Sequence, residues 1–227
     1  MNLVKKTIYL SILVQIIALL FGVYAYSTDT KPENKMLDEI MLIENVVQFV
    51  EFTFYIVVAF ILTNIPKKDL AQYRYFDWAI TTPLMLITTL LYFVYEKEKQ
   101  EHRENKKNKW FSSTLNIIKE NSNNIIKMVL SNAGMLLVGY LQEIGKVSLL
   151  TSNILGFGLL IYSFYILYGY ANTTTAQTLF WIMFTAWSLY GVAANYGPDI
   201  KNTAYNILDI ISKNFYGIFI ASLIISS

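Results

Sequence analysis

The chain alternates long apolar runs with short polar connections, and this alternation predicts its elements. A helix needs about 20 mostly apolar residues to cross a bilayer. Seven runs reach or approach that length, at residues 4–26, 38–64, 72–95, 126–143, 147–169, 172–196 and 200–225. The first run begins with Lys5 and Lys6 but is long for a signal peptide and lacks a small-residue cleavage site. The pattern therefore predicts an all-α membrane protein, a bundle of seven transmembrane helices.

Polar side chains within the second run share one helix face. Glu44, Gln48, Glu51 and Tyr55 follow one another at spacings that keep them in a single stripe, at about 100° per residue. Carboxylates inside a membrane face the bundle interior or water rather than lipid. The stripe indicates either a hydrated path or two glutamates that are hydrogen-bonded between helices.

Three other runs also carry a polar face. The residues are Ser11 and Gln15 in the first run, Arg74, Asp77 and Thr81 in the third, and Asn202, Asn206, Asp209 and Lys213 in the seventh. Residues three or four apart are neighbours on a helix surface. Because packing against lipid does not need such faces, we expect them to line the interior.

Lys213 is the most informative of these residues. A bare ammonium is costly in the middle of a membrane span, and an ionisable residue there indicates a functional site. Asp209 lies one helical turn before it and can approach whatever Lys213 carries. The alternative is a buried salt bridge that only joins helices.

The most polar stretch, residues 96–109, separates the third and fourth runs. After it, Trp110, Phe111, Leu115 and Ile118 recur at helical spacing with polar residues between them. This pattern favours an amphipathic helix in the membrane interface, over about 105–125, against an ordinary solvated loop. The lysines of the stretch indicate that it lies on the cytoplasmic side.

Composition agrees with a membrane protein and narrows the chemistry. Of the 227 residues, 55% are hydrophobic, the net charge is only +2, and there is no cysteine. These values argue against nucleic acid as a partner and exclude thiol chemistry. The single histidine, His102, lies in the charged connection, so we predict no metal site. Since no Gly-rich phosphate loop, GxSxG or HExxH motif is present, we do not expect an enzyme.

Two motifs in the third and seventh runs resemble those of microbial (type I) retinal rhodopsins. They are Arg74-x-x-Asp77-Trp78-x-x-Thr81-Thr82-Pro83-Leu84 and Asp209-x-x-x-Lys213. Asn132, Met135 and Gly139 in the fourth run, and Trp187 with Tyr190 in the sixth, agree further. The resemblance covers nearly the whole chain and implies a single seven-helix rhodopsin domain over 1–227.

The resemblance also implies a chromophore and its binding residues. All-trans retinal would form a Schiff base with Lys213. The residues assigned to its site are Lys213, Asp77, Asp209, Trp78, Thr81, Met135, Gly139, Trp187 and Tyr190. Two positions depart from the family pattern, because Gly191 replaces the usual proline and Ala194 an expected aromatic residue. We therefore expect a looser pocket roof.

Three functions follow from this resemblance. The acidic second helix is similar to channelrhodopsin, and the whole set resembles the channel-forming viral rhodopsins of giant algal viruses. The residues expected along a cation pathway are Ser11, Gln15, Glu44, Gln48, Glu51, Arg74, Asn195, Asn202 and Asn206. An outward proton pump is the alternative, although Thr88 stands where many pumps carry a carboxylate. A photosensor with a separate transducer is the third.

The family topology implies an outer N-terminus and a cytoplasmic C-terminus. The expected partners are the lipid bilayer, permeant cations and further copies of the chain in a homo-oligomer.

Overall fold

Helices account for nearly all of the chain that the structure, a computed structural model, describes: residues 2–28, 34–61, 65–105 and 112–226. The helices are α1 (Leu3–Tyr26), α2 (Lys35–Ile56), α3 (Lys67–Asn105), α4 (Thr114–Glu120), α5 (Ser122–Glu143), α6 (Leu149–Tyr168), α7 (Thr174–Ala193), α8 (Pro198–Asp209) and α9 (Phe215–Ile225). The predicted end of the second run, residues 62–64, lies outside the described residues.

Two π-helical turns interrupt the α-helical hydrogen bonding. The first, Val57–Ile61, extends α2, and the second, Ile210–Asn214, joins α8 to α9. Through that second turn, Pro198–Ile225 forms one membrane-length stretch, called the seventh rod below. A π turn inserts an extra residue and often marks a functional site. This one contains Lys213, a feature that the sequence pattern did not predict.

Six helical stretches of the described chain are long and apolar enough to cross a bilayer, and α7 is long enough but less apolar. The connections that follow α5 are short. Gly145 adopts a φ of 74° where α5 turns into α6, a conformation that glycine reaches without strain. The N-termini of α6 and α7 are capped by the hydroxyls of Ser148 and Thr173.

Helix α3 is longer than the pattern predicted, because it continues through the charged residues as far as Asn105. Trp110 and Phe111, half of the apolar set behind the predicted interfacial helix, lie outside the described residues. The described part of that segment includes the short helix α4 and the start of α5. In α4, Ile117 is buried, Ile118 is half-buried and Leu115 is exposed. Its placement in the interface stays a prediction.

The interior divides into two halves of different character. The half that contains the N-terminus of α1, here called the N half, buries polar side chains between α1, α2, α3 and the seventh rod. The opposite C half contains an apolar core that includes Met41, Leu91, Tyr92 and Ile220, all fully buried. The polar half holds the candidate site, and the apolar half separates it from the other face of the bundle.

Candidate functional site

The Lys213 amine lies between two carboxylates at the centre of the bundle. Its Nζ is 2.5 Å from Asp77 Oδ2 and 3.5 Å from Asp209 Oδ1. All three side chains are at most 2% exposed. Asp77 comes from α3, whereas Asp209 directly precedes the π turn and Lys213 lies within it. Two carboxylates therefore face one buried cation, so a further positive group must offset the second negative charge.

Arg74 supplies that positive group, and it acts on Asp209 rather than Asp77. Its Nη1 lies 3.3 Å from Asp209 Oδ2. The hydroxyls of Tyr55 and Tyr190 each donate to the Asp209 carboxylate at 2.7 Å, and Trp78 Nε1 donates at 3.3 Å. Asp209 is thus held by four donors besides Lys213.

Asp77 has far fewer partners than Asp209. Its Oδ1 is buried without a partner among the described residues, and the Thr81 hydroxyl donates to its backbone oxygen. The charge of Asp77 is therefore directed mainly at Lys213 Nζ. Asp77 Oδ2 is thus the carboxylate oxygen nearest to Lys213 Nζ.

A cavity leads away from Lys213 between α3, α5, α6, α7 and the seventh rod. Predicted chromophore-site residues on its wall are Lys213, Trp78, Met135, Gly139, Trp187 and Tyr190. Asp77, Thr81 and Asp209 lie outside this wall. Residues that the sequence reasoning had not assigned to it include Tyr75, Met85, Phe157, Leu160, Tyr205 and Ser212. The walls are mostly aromatic and apolar, so the cavity suits an elongated hydrophobic molecule.

The α2 stripe meets the π turn on the side of Lys213 away from the cavity. Gln48 Nε2 donates to the Lys213 backbone oxygen at 3.0 Å, and Asn214 Nδ2 donates to Gln48 Oε1 at 2.6 Å. The same Asn214 amide donates to Glu51 Oε2 at 2.8 Å. Gly217 makes this approach possible, because a Cβ there would lie 2.8 Å from Gln48 Nε2.

The polar residues continue toward the N-terminal face. Asn206 accepts a hydrogen bond from Arg74, and its Nδ2 donates to Thr7 Oγ1 at 2.7 Å. Ser11 Oγ donates to the Asn206 backbone oxygen at 3.2 Å. Nearer the face, Asn202 Nδ2 donates to the Lys67 carbonyl at 2.9 Å. Together with the α2 stripe and Gln15, these side chains form what is called the polar column below.

Comparison with known proteins decides the family. The profile of the family described as Bacteriorhodopsin-like protein matches residues 2–227. The chain belongs to the bacteriorhodopsin-like family. The resemblance to microbial retinal rhodopsins is therefore confirmed, and a search of curated protein sequences found no match.

Solved structures of rhodopsins are similar to this one over nearly their whole length. A viral rhodopsin, OLPVRII, has 26% identity and a TM-score of 0.83, with 99% of each chain covered. The blue light-absorbing proteorhodopsin from Med12 has 20% identity and a TM-score of 0.72, covering 98% of this chain and 97% of that one. Bromide-bound halorhodopsin from Halobacterium salinarum has 15% identity and a TM-score of 0.69, covering 99% and 94%.

These comparisons confirm the predicted fold class and several general properties. The chain is a membrane-embedded rhodopsin with the seven-helix fold, in which α8 and α9 together form the seventh helix. Members of the family are photoreceptors and ion transporters, generally not enzymes, and the family implies a retinal chromophore. The cavity fits that group, because a buried amine stands at one end of aromatic and apolar walls.

The structure brings together all but one of the predicted pathway residues. The exception is Asn195, which is exposed and exchanges hydrogen bonds with Asn153 on α6, at 2.7 Å for the shorter one. It follows the end of α7, and α7 does not border the polar column. Conversely, the sequence reasoning did not include Asn214, although a polar residue directly after the key lysine was a signal that could have found it.

We expect Asp77→Asn to shift the absorption band to longer wavelength and disturb the photocycle, because it removes the carboxylate at 2.5 Å from Lys213. Asp209→Asn is the matched variant and should produce the smaller spectral shift, since four other donors surround that carboxylate. Absorption spectra and flash photolysis of both purified pigments measure the difference. A larger effect of Asp209→Asn would make Asp209 the main counterion.

Proposed function

We propose that this rhodopsin is a light-gated cation channel whose chromophore, all-trans retinal, is bound to Lys213. In this proposal the polar column between α1, α2, α3 and the seventh rod is the ion pathway. Its members include Ser11, Gln15, Glu44, Gln48, Glu51, Arg74, Asn202 and Asn206, and we add Asn214. Asn195 is left out, since it is bonded to α6 instead.

The observation that carries the proposal is the number of unsatisfied polar atoms in this column. Among the described residues, Gln15 has no partner for either its oxygen or its nitrogen, and Glu44, Glu51 and Asn214 each have one oxygen without a partner. All four side chains are fully buried. Because buried polar groups in proteins almost always hydrogen-bond to protein or water, these atoms favour a hydrated column.

The column is closed at three levels in the resting arrangement. Arg74, with its bonds to Asp209 and Asn206, crosses it in the N half. Glu51 and Gln48, both bonded to Asn214, join α2 to the seventh rod at its middle. Beyond Glu44, the apolar core blocks the C half. An open channel requires these three levels to separate.

The π turn couples the Lys213 site to the middle level. When bound, retinal supplies light absorption and the change of shape that follows it. The proton on Lys213 Nζ then moves to Asp77 Oδ2, which removes the ion pair between α3 and the seventh rod. Lys213 also accepts a hydrogen bond from Gln48 through its backbone oxygen, and Asn214 is its neighbour. A shift of this turn therefore loosens the bonds of Gln48 and Glu51 to the rod.

Once those bonds loosen, water can connect the separate parts of the column. Glu51 and Glu44 then present carboxylates to the path, and a lining of acids favours cations. Conformational steps of this kind take microseconds to seconds.

The voltage dependence of the photocurrent tests the channel. In cells that express the protein, we expect light to evoke a current that reverses sign with membrane voltage. The reversal voltage should follow the external cation concentration, because a passive pathway obeys the electrochemical gradient. A current that stays outward at every accessible voltage would contradict the channel and leave the pump.

An outward proton pump is the second candidate, and one contact favours it. The Thr88 hydroxyl donates to Glu44 Oε1 at 2.5 Å. Glu44 on α2 thus places its carboxylate beside Thr88, the α3 position at which many pumps carry a carboxylate of their own. In a pump, Glu44 would return a proton to Lys213 after Asp77 had accepted the first.

The arrangement in the membrane completes the proposal. In this proposal the chain forms one domain, residues 1–227, with its N-terminus outside and its C-terminus in the cytoplasm. The charged end of α3 then lies in the cytoplasm, where its lysines are favoured. The partners of such a channel are permeant cations and further copies of the chain in a homo-oligomer.

A further inference from the structure

The cavity that begins at Lys213 reaches the membrane-facing surface between α6 and α7. Its wall there includes Gly156 and Phe157 from α6, Gly191 from α7, and Ala194 directly after the end of α7. All four residues are half-buried, whereas Lys213 at the inner end is 1% exposed. The cavity therefore runs from a buried amine to the lipid-facing side of the bundle.

Small residues keep this part of the seam between α6 and α7 open. A Cβ added at Gly156 would meet no atom within 4 Å. At Gly191, by contrast, a Cβ would lie 2.7 Å from Phe157 Cζ, so the phenyl ring fills the place of the missing side chain. The two departures from the family pattern, Gly191 and Ala194, thus both border the opening, and Phe157 lies across it.

The seam is closed above and below this opening. Toward the N-terminal face, Asn153 and Asn195 join the two helices through hydrogen bonds. Toward the C-terminal face, Phe164 packs against Phe180 and Trp187, with ring centroids 5.8 and 5.3 Å apart. Over its whole length, α6 packs much less closely against α7 than against α5. The result is a bounded window.

We propose that this window, formed by Gly156, Phe157, Gly191 and Ala194, is the route by which retinal enters the apoprotein from the bilayer. The inference rests on the proposed retinal site at Lys213. Retinal is an apolar aldehyde, so it concentrates in lipid, and the window faces lipid. Entering aldehyde first, it reaches Lys213 Nζ without turning inside the bundle. The Phe157 side chain is the gate of this window, because rotation of its ring away from Gly191 widens the opening.

The attachment reaction is consistent with this route. Lys213 Nζ first passes one proton to Asp77 Oδ2. The neutral amine then forms a C=N bond with the aldehyde carbon, and the aldehyde oxygen leaves as water with the two protons that remain on the amine. That water is released beside the polar column, away from the incoming hydrocarbon. Retinal thus approaches Lys213 from the lipid side, and the released water leaves on the side of the polar column.

Rates of pigment formation test the window. Gly156→Leu places a side chain in the opening, and Gly158→Leu is the matched control. Gly158 lies on the same helix, its Cβ also meets nothing within 4 Å, and it is exposed outside the cavity wall. Each apoprotein is reconstituted into phosphatidylcholine vesicles, all-trans retinal is added, and the visible band is followed in time.

We expect Gly156→Leu to form pigment at least about tenfold more slowly than the wild type. Gly158→Leu should match the wild type. The same Gly156→Leu protein, synthesised with retinal present, should carry a normal visible band, because the chromophore is then enclosed during folding. Equal rates in all three proteins would overturn the window. A Gly156→Leu protein that stays colourless under both conditions would also overturn it, since Gly156 would then line the site that holds the ring of bound retinal.

Phe157→Ala gives an independent measurement in the opposite direction. Removal of the ring should accelerate pigment formation several-fold, and an unchanged or slower rate would contradict the role of Phe157 as the gate. These outcomes are distinct from failure of the proposed function. If wild-type protein stays colourless, the retinal site itself is refuted, whereas a coloured wild type with unaffected variants refutes only the window.

Discussion

Lys213→Ala is expected to abolish the visible absorption band completely. The amine is the only nucleophilic nitrogen among the described residues that line the cavity and lies deep inside the bundle, so no neighbouring group can replace it. Purified variant protein mixed with all-trans retinal should absorb only where free retinal does. Absorption spectroscopy before and after addition of the aldehyde provides the measurement.

Lys201→Ala is the matched control for this experiment. Lys201 is also a buried lysine of the seventh rod, but it pairs with Glu143 at 2.7 Å and does not line the cavity. The control should form pigment, with lower thermal stability because its loss leaves Glu143 buried without its cation. A red-shifted band that persisted in Lys213→Ala would refute the covalent linkage.

Glu51→Gln is expected to change the photocurrent while leaving the pigment intact. Glu51 lies in the middle level of the column, bonded to Asn214, and does not touch the cavity. Loss of its charge should reduce cation current by about tenfold, which corresponds to about 1.4 kcal/mol of lost cation stabilisation. It should also weaken selectivity for cations over anions. Peak currents and reversal voltages in cells, scaled to pigment content, provide the measurement.

Two further variants sharpen the Glu51 experiment. Glu101→Gln makes the same change at a side chain that is 58% exposed on the charged end of α3, and its current should equal that of the wild type. Asn214→Ala removes the partner of Glu51, so its effect and that of Glu51→Gln should not add. Photocurrents unaltered by Glu51→Gln would make Glu51 a structural hydrogen-bonding residue.

The charged site could be predicted from the sequence because ionisable residues are so unfavourable in apolar runs. Lys213, Asp77 and Asp209 are among the few charged residues of long, mostly hydrophobic segments. Helical spacing alone placed Glu44, Gln48 and Glu51 on one face. The structure brings all six to the interior of the bundle. Burial cost and periodicity were sufficient here, since both act within a single helix.

The relations between helices were harder to predict. The π turn at Ile210–Asn214 changes which residues face α2, so Asn214 joins Gln48 and Glu51 although α-helical spacing gives no reason for it. The position of Asn195 could not be predicted for a related reason. A polar residue near a helix end can bond to a neighbour, here Asn153, and no pattern within one helix identifies that neighbour. Likewise, the end of α3 could not be located, because charged residues are compatible with either a loop or an exposed helix.

The extension of α3 offers a mechanical readout of activation. At 1.5 Å per residue, Arg103 stands about 39 Å along the helix axis from Asp77, so a tilt of about 5° at Asp77 would displace Arg103 by roughly 3 Å. A spin label at the exposed position of Arg103 would therefore report a small tilt of α3 as a larger displacement. Motions at the buried ion pair that are too small to resolve directly would become measurable distances at the far end of α3.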